Sequence, residues 1–351
     1  MQKRSSNREW QQEEGLVMAL DLGDKESQLC VLGADGEIRQ EVRVRMTTPD
    51  LQSWFSTSHP ETVVMEAGSH SPWVSRLLEQ MGHAVMVVDP RRLRLISESD
   101  SKNDRNDART LARVAAAMPD LLRVVKHRSA EAQKDLTVIR ARARLVEVRT
   151  KLWCSLRGLS KSLGHRLPRR VSRESIQEQI AILEPLWNAM EDVQRRIGEY
   201  DRKIRELEQK YPASGRLRQI AGVGPLISLT FVLTLDDHLR FARSRQIGPY
   251  LGLRPRQRDS GASQPQLRIT KAGDRYLRSL LIQGAQYILG RFGPDTDLRR
   301  WGLRLAQRGG KNARKRAVVA VARKLAVLMH RIWMDESVYE PLRQSAAVTA
   351  R

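Results

Sequence analysis

Residues 16–45 read LVMALDLGDKESQLCVLGADGEIRQEVRVR, and this stretch decides the fold. LVMALDLG and SQLCVLG are apolar runs of strand length, ADGE is a turn, and IRQEVRVR alternates with the period of two that a half-buried strand requires. A three-stranded meander is expected. Working outward, a short helix is expected near Pro49 to Ser56, and TVVMEAG (62–68) is a compact buried strand. SPWVSRLLEQMG (71–82) is a helix ended by Gly82, HAVMVVDP (83–90) is another strand, and a further helix begins near Asp104. That order predicts a mixed sheet flanked by helices, an α/β domain.

Asp21 closes the first strand and Glu66 a later one, at the strand ends where open α/β sheets collect ligands. Both end apolar runs, where an unpaired carboxylate is costly; each alone is also readable as a turn former or a solvated acid. SKNDRNDARTLARVA (101–115) sets Asp104 and Asp107 on one helix face, with Asp100 a turn earlier. Helix capping and the helix dipole account for one such acid. Three repel one another unless a cation lies between them. If the two strands are neighbours and the helix crosses their ends, Asp21, Glu66, Asp104 and Asp107 converge. Such all-oxygen ligands select Mg2+ or Mn2+ over zinc, and two ions of this kind clamp the oxygens of a phosphodiester.

The net charge of +22 over 351 residues is uneven: −4 for residues 1–120, +12 for 121–250 and +14 for 251–351. So basic a body calls for a polyanion, with nucleic acid ahead of a membrane surface. No apolar run long enough to span a bilayer occurs, and the polar, mixed-charge start is not a signal peptide. Cys30 and Cys154 are too few for a disulfide framework or a cysteine zinc site. The expected location is cytoplasmic.

From Ser129 to about Leu163, and from Glu174 to Lys210, the pattern is long, helical and charged. Leu145, Leu152, Leu156, Leu159 and Leu163, then Ile176, Ile180, Leu183, Leu186, Met190, Val193, Ile197, Ile204 and Leu207, follow a roughly coiled-coil spacing. Such a pair seeks a partner helix, internal or from a second copy. From about 214 shorter basic helices follow, and the tail beyond about Tyr339 reads as disordered.

In RQIAGVGPLISLTFVL, Gly222 and Gly224 flank Val223 between apolar segments, a helix-hairpin-helix pattern whose backbone N–H groups can hold a phosphate. Arg216 and Arg218 stand just before it. In YLGLRPRQRDSGASQPQLRITKAGDRYLRSLLIQGA, Ser260 and Ser263 sit among Arg254, Arg256, Arg258 and Arg268, with Lys271 following. A serine attacks phosphate only where cations balance the charge. A bare SG has almost no specificity by itself.

Together, the Asp-ending first strand, MEA, KNDRNDA, IAGVGPL, YLGLRPRQRDSG and ITKAGDRYLRSLLIQGA, in that order, resemble the DEDD transposases of insertion-sequence family one-ten, which are bridge-RNA-guided serine recombinases. The resemblance spans roughly residues 16 to 334. It implies a RuvC-like (RNase H-like) domain over 15–125 after an N-terminal extension (1–14), and a coiled-coil linker over 126–212. A mainly α-helical transposase domain over 213–336 and a flexible tail (337–351) follow. It further implies a Mg2+ tetrad of Asp21, Glu66, Asp104 and Asp107, and Ser260 as nucleophile with Ser263 as alternate. The implied partners are donor and target DNA and a structured guide RNA; the implied assembly is a homodimer or homotetramer with active sites composed across protomers, nucleoid-associated in the cytoplasm. Asp24 and Glu26 add acids near the first ligand, so the identity of the third or fourth ligand stays open. Two other readings compete: a RuvC-like junction nuclease in which water attacks, and a non-catalytic basic RNA-binding protein whose acids only cap helices and turns.

Overall fold

Five short runs rich in Val, Leu and Met pair into one sheet: β1 (Val17–Asp21), β2 (Glu26–Leu32), β3 (Ile38–Arg45), β4 (Thr62–Glu66) and β5 (Ala84–Val88). The strand order is β3-β2-β1-β4-β5. β1, β2 and β3 form the antiparallel meander, while β1, β4 and β5 are parallel. The computed structural model describes residues 13–56, 61–90, 103–167, 181–261, 263–265 and 267–343. The chain divides into two units, Met1–His127 and Arg128–Arg351.

Alternation along the strands sorts the first unit into two layers. Met18, Leu20, Val63 and Met65 face α1 (Thr48–Phe55) and α2 (Ser71–Gln80), packing against Leu51, Phe55, Val74 and Leu78. Ala19, Cys30, Val64 and Val88 face α3 (Asp104–Ala117) through Ala108, Leu111, Ala112 and Ala115. Each fully buried Leu or Val contributes roughly 1.5–3 kcal/mol. Residues 122–125 also run antiparallel beside β5. Val125 donates its N–H to the Val87 carbonyl at 2.7 Å, and Asp89 donates to the Arg123 carbonyl at 3.1 Å.

The second unit is helical: α4 (Ala130–Ser162), α5 (Glu184–Lys210), α6 (Pro212–Leu217), α7 (Pro225–Leu235), α8 (Ile247–Tyr250), α9 (Arg275–Leu289), α10 (Asp297–Ala306) and α11 (Ala313–Asp335). α4 and α5 are antiparallel, because contact partners descend on one as they ascend on the other. Asp135 meets Lys210 (2.8 Å), Arg142 meets Asp201 (2.5 Å), Arg149 meets Gln194 (2.7 Å), and Trp153 meets Trp187 edge-on. One end of the pair is an apolar cluster of Leu156, Leu167, Leu183 and Trp187. The other is rooted in α7, where Ala132, Leu136, Ile139 and Ile204 pack on Leu229 and Leu233. The pair thus grows out of the C-terminal core. Ile176 and Ile180 of the expected spacing, and Asp100, lie outside the described residues.

Residues 337–343 depart from the expected flexible tail. Tyr339 packs on the core of the second unit and donates its N–H to Gln219 Oε1 at 3.0 Å, while the Pro341 carbonyl accepts from the Asp297 N–H at 2.8 Å. An aromatic side chain with a core to bury it outweighs a polar local composition. No helix among the described residues is long and apolar enough to cross a membrane.

Candidate active site

Asp21 and Glu66 are the last residues of β1 and β4, adjacent parallel strands with Leu20 opposite Met65. One further step of that register sets Asp21 beside Glu66, about 4.8 Å apart by backbone spacing. Both share the parity of Ala19 and Val64, so both belong to the sheet face that α3 covers. Asn103 caps α3, its Oδ1 accepting from the Asn106 N–H at 2.9 Å. Asp104 and Asp107 are therefore not the cap; they lie in the first turn, where the dipole favours acids. At 100° per residue, Asp107 falls on one flank of the buried stripe and Arg105 and Arg109 on the other. Both arginines bind Glu41 of β3, with Arg105 Nε at 2.7 Å and Arg109 Nη2 at 2.6 Å from Oε2. Glu41 is held down to about 2, chiefly by Arg109 and then by Arg105. It lies opposite Cys30, one same-face step from the row of Arg43, Gln28 and Asp21.

Asp21 and Glu66 are thus placed together, and Asp104 and Asp107 on the helix over the same face. Among the described residues no three His, Cys, Asp or Glu are gathered closely enough to hold a metal. Asp24 and Glu26, the additional acids, are exposed in the β1–β2 turn region.

Ser260 occupies the tip of an extended arm that leaves and rejoins the helical core between Gly252 and Lys271. The arm is closed by backbone bonds: Lys271 N–H to Gly252 O (3.1 Å), Thr270 N–H to Arg254 O (2.9 Å) and Arg256 N–H to Arg268 O (2.9 Å), with Pro255 facing Ile269. At the tip Ser260 and Ser263 exchange both backbone bonds, at 3.1 and 3.0 Å, around a turn opened by Gly261 at φ 52°. Both serines are exposed.

The root of the arm is tight. Gly252 has φ 67°, and a Cβ there would lie 2.2 Å from the Ala272 nitrogen. Arg278 Nη1 donates to the carbonyls of Leu251 and Ala272 at 3.0 and 2.7 Å, pinning both sides of the root. Arg256 stands directly across from Arg268, a like-charge pair that destabilises a bare ladder. The side chains of Arg256, Arg258, Arg268 and Lys271 have no ion-pair partner among the described residues, and Arg254 reaches only Gln257. Asp259 is the arm's one acid.

Gly224 begins α7 without a side-chain cap, Pro225 follows, and Gly222 has φ 84°. The turn lies against α9 so closely that a Cβ on Gly222 would meet the Gly284 carbonyl at 3.0 Å, and the reverse holds equally. A shallow cavity of about 440 Å³ opens there, lined by Arg218, Gly222, Gly224, Gln283 and Tyr287 among others. Arg216 and Arg218 are engaged with acids, Glu336 at 2.6 Å and Glu208 at 3.3 Å. Phosphate contact by either requires an exchange of partner.

A family model described as transposase IS116/IS110/IS902 family matches residues 214–301, which hold both the GVG turn and the serine arm. A second model, described as transposase and of the DEDD type, matches residues 18–163. A probable family 20 transposase of Pseudomonas aeruginosa is 30% identical over 340 residues, covering 92% of this chain and 98% of the relative. The chain belongs to the IS116/IS110/IS902 transposase family. The transposase is similar, too, to the transposase for insertion sequence element IS1111A of Coxiella burnetii, at 30% identity over 339 residues, 92% of this chain and 91% of that one.

Family membership makes it a DNA-transposing enzyme, and the DEDD type suggests a divalent metal. The α/β unit followed by helices fits that layout. Sequence reading of this transposase missed Glu41, Gln283, Gly284 and Tyr287. A glycine inside the apolar helix LLIQGAQYIL was the available signal for Gly284, since a helix interior keeps glycine at a cost of about 1 kcal/mol unless another backbone must approach.

Proposed function

We propose that the transposase excises and inserts its element by serine-mediated strand exchange, guided by a structured RNA. Ser260 is the nucleophile, and Asp21, Glu66, Asp104 and Asp107 are the metal-binding acids of a RuvC-like domain. The observation that carries the reading is the arm itself: an exposed serine at a tip whose stem sets Arg256 against Arg268, neither with an ion-pair partner among the described residues. A DNA phosphate relieves them.

Ser260 Oγ attacks phosphorus as its hydroxyl proton passes to solvent. The Oγ–P bond forms while the P–O bond to the deoxyribose breaks, and solvent returns a proton to the departing oxygen. Rejoining reverses these steps with another strand's hydroxyl, so the number of phosphoester bonds is conserved and no external energy source is needed. The stem arginines neutralise the charge that gathers on the phosphate oxygens. By donor chemistry alone, these hard carboxylate oxygens suit magnesium or manganese, although the described residues do not gather three of them into a metal cluster. Bound there, the ion would supply Lewis-acid stabilisation of phosphate charge. The order β3-β2-β1-β4-β5, with acids ending β1 and β4, supports the RuvC-like assignment. The glycine turn, whose following helix starts at Gly224 without a side-chain cap, supports a phosphate contact of the helix-hairpin-helix kind, and the antiparallel α4–α5 pair, with Leu159 and Leu163 about half exposed, supports coiled-coil assembly into dimers or tetramers.

The test incubates wild-type and Ser260→Ala protein with magnesium, co-purifying RNA and the element's flanking DNA, then resolves the products on a denaturing gel. A protein–DNA adduct in wild type and none in the variant is expected. Free cut ends with no adduct in either protein would replace this reading with the metal-dependent junction nuclease.

A further inference from the structure

α10 and α11 form a helical hairpin: a Cβ on Gly302 would meet Val321, and Lys324 Nζ lies 4.4 Å from the Trp301 ring centroid. Its tip is the segment LAQRGGKNARKR, residues 305–316. From residue 298 to 334 the chain carries eleven Lys and Arg and no Asp or Glu. Several of these cations are structural. Arg299 ties the end of α9 through the Ile288 and Gly290 carbonyls, and Arg300 pairs with Asp295. Lys324 sits over Trp301.

Arg304, Arg308, Lys311, Arg314 and Lys315 are different. All five are exposed, and none has an ion-pair partner among the described residues. Their neighbours Ala313 and Ala317 point into the core, which turns the charged positions of the first α11 turn outward. That turn has no acid and no side-chain cap. Cations at the positive end of a helix dipole repel it, by about 0.3–1 kcal/mol each. A fold gains nothing from this arrangement unless an anion completes it.

We infer that the α10–α11 tip is a second DNA-binding surface, which grips the backbone of duplex DNA through Arg308, Lys311, Arg314 and Lys315, with Arg304 behind them. Duplex is favoured over single strand because residues 304–316 contain no aromatic side chain on which an unstacked base could rest. DNA is favoured over RNA because the chain's transposase family supplies DNA as substrate. The contact reads no sequence, since it offers charges to phosphates and nothing to a groove edge. The inference rests on that family and not on Ser260.

The test measures binding of full-length protein to a fixed 30-bp DNA duplex, a single strand and an A-form RNA duplex by fluorescence anisotropy across a salt series. Each phosphate contact contributes about 0.9 to the slope of log K against log salt. R308Q/K311Q/R314Q/K315Q is expected to flatten the DNA-duplex slope by about 3 to 4, and each half, R308Q/K311Q or R314Q/K315Q, by about 2. The halves keep the test decisive if the quadruple variant misfolds. R308K/R314K should keep the wild-type slope, because it keeps the charge. Ser260→Ala should leave it unchanged, which separates this surface from the strand-exchange reading. An unaltered slope in both halves overturns the inference, as does a larger loss on the RNA duplex than on DNA.

Discussion

Replacing Glu41 by Gln tests whether the two arginines of α3 hold that helix on the sheet. Glu41 is covered, with its side chain 7% exposed, and accepts from both Arg105 and Arg109. A carboxylate held at about 2 instead of its usual 4.5 corresponds to at most ~3 kcal/mol of folding free energy. Arg105 is 60% exposed and its share is screened by water, which brings the expected loss to about 2 kcal/mol. Because the folded value is depressed, this contribution is fully present above pH 4.5 and is lost as pH falls through about 2. Wild type and Glu41→Gln should therefore differ most near neutrality, by several degrees in the melting of the first unit, and converge as pH is lowered from 4.5 toward 2. Circular dichroism melts across that range read the difference directly. A gap that stays constant with pH would refute the reasoning, since the loss would then come from packing and not from the carboxylate charge. Full strand-exchange activity in Glu41→Gln would separately refute the link between this anchor and the placement of Asp104 and Asp107.

Two further outcomes are expected. Gly252→Ala places a Cβ 2.2 Å from the Ala272 nitrogen at a φ that costs an L residue roughly 1–2 kcal/mol, so the arm should open at its root. Adduct formation should fall at least tenfold and proteolysis within 252–273 should accelerate, while the helical core melts almost as before; an intact arm by both measures would contradict the clamp. Cys30 is buried and its thiol is pushed up to about 11, mainly by desolvation, whereas Cys154 is exposed. A thiol reagent at pH 8 should titrate one cysteine in the native protein and two after denaturation, and two fast-reacting thiols in the folded state would show the α3 face to be open.

The sheet was legible because its strands carry their own evidence. β1, β2 and β4 are apolar runs bounded by turn residues, and β3 alternates. The strand ends Asp21 and Glu66 followed from that pattern. The Glu41 anchor was not legible, because its partners are 64 and 68 residues away and nothing local marks an arginine that will find a distant acid. In sequence the serine arm is only a polar segment enclosed by arginine. Its order comes from backbone bonds between residues 252 and 271 and from close contact at Gly252, neither of which leaves a hydrophobic period. Conversely, Arg216 and Arg218 stand just before the glycine turn in sequence, but in the fold each is engaged by an acid, Arg216 by the distant Glu336 and Arg218 by Glu208 ten residues earlier.

The antiparallel helices α4 and α5 are joined in mid-span by Arg142 to Asp201 and Arg149 to Gln194, links spaced seven residues apart on each helix. A matched insertion of seven residues on both helices nearly keeps the facing register, with a drift of about 20°, and changes the reach by about 10.5 Å. The projection is in effect an adjustable ruler. Its length can be set by an engineer in whole heptads, with the serine arm left untouched.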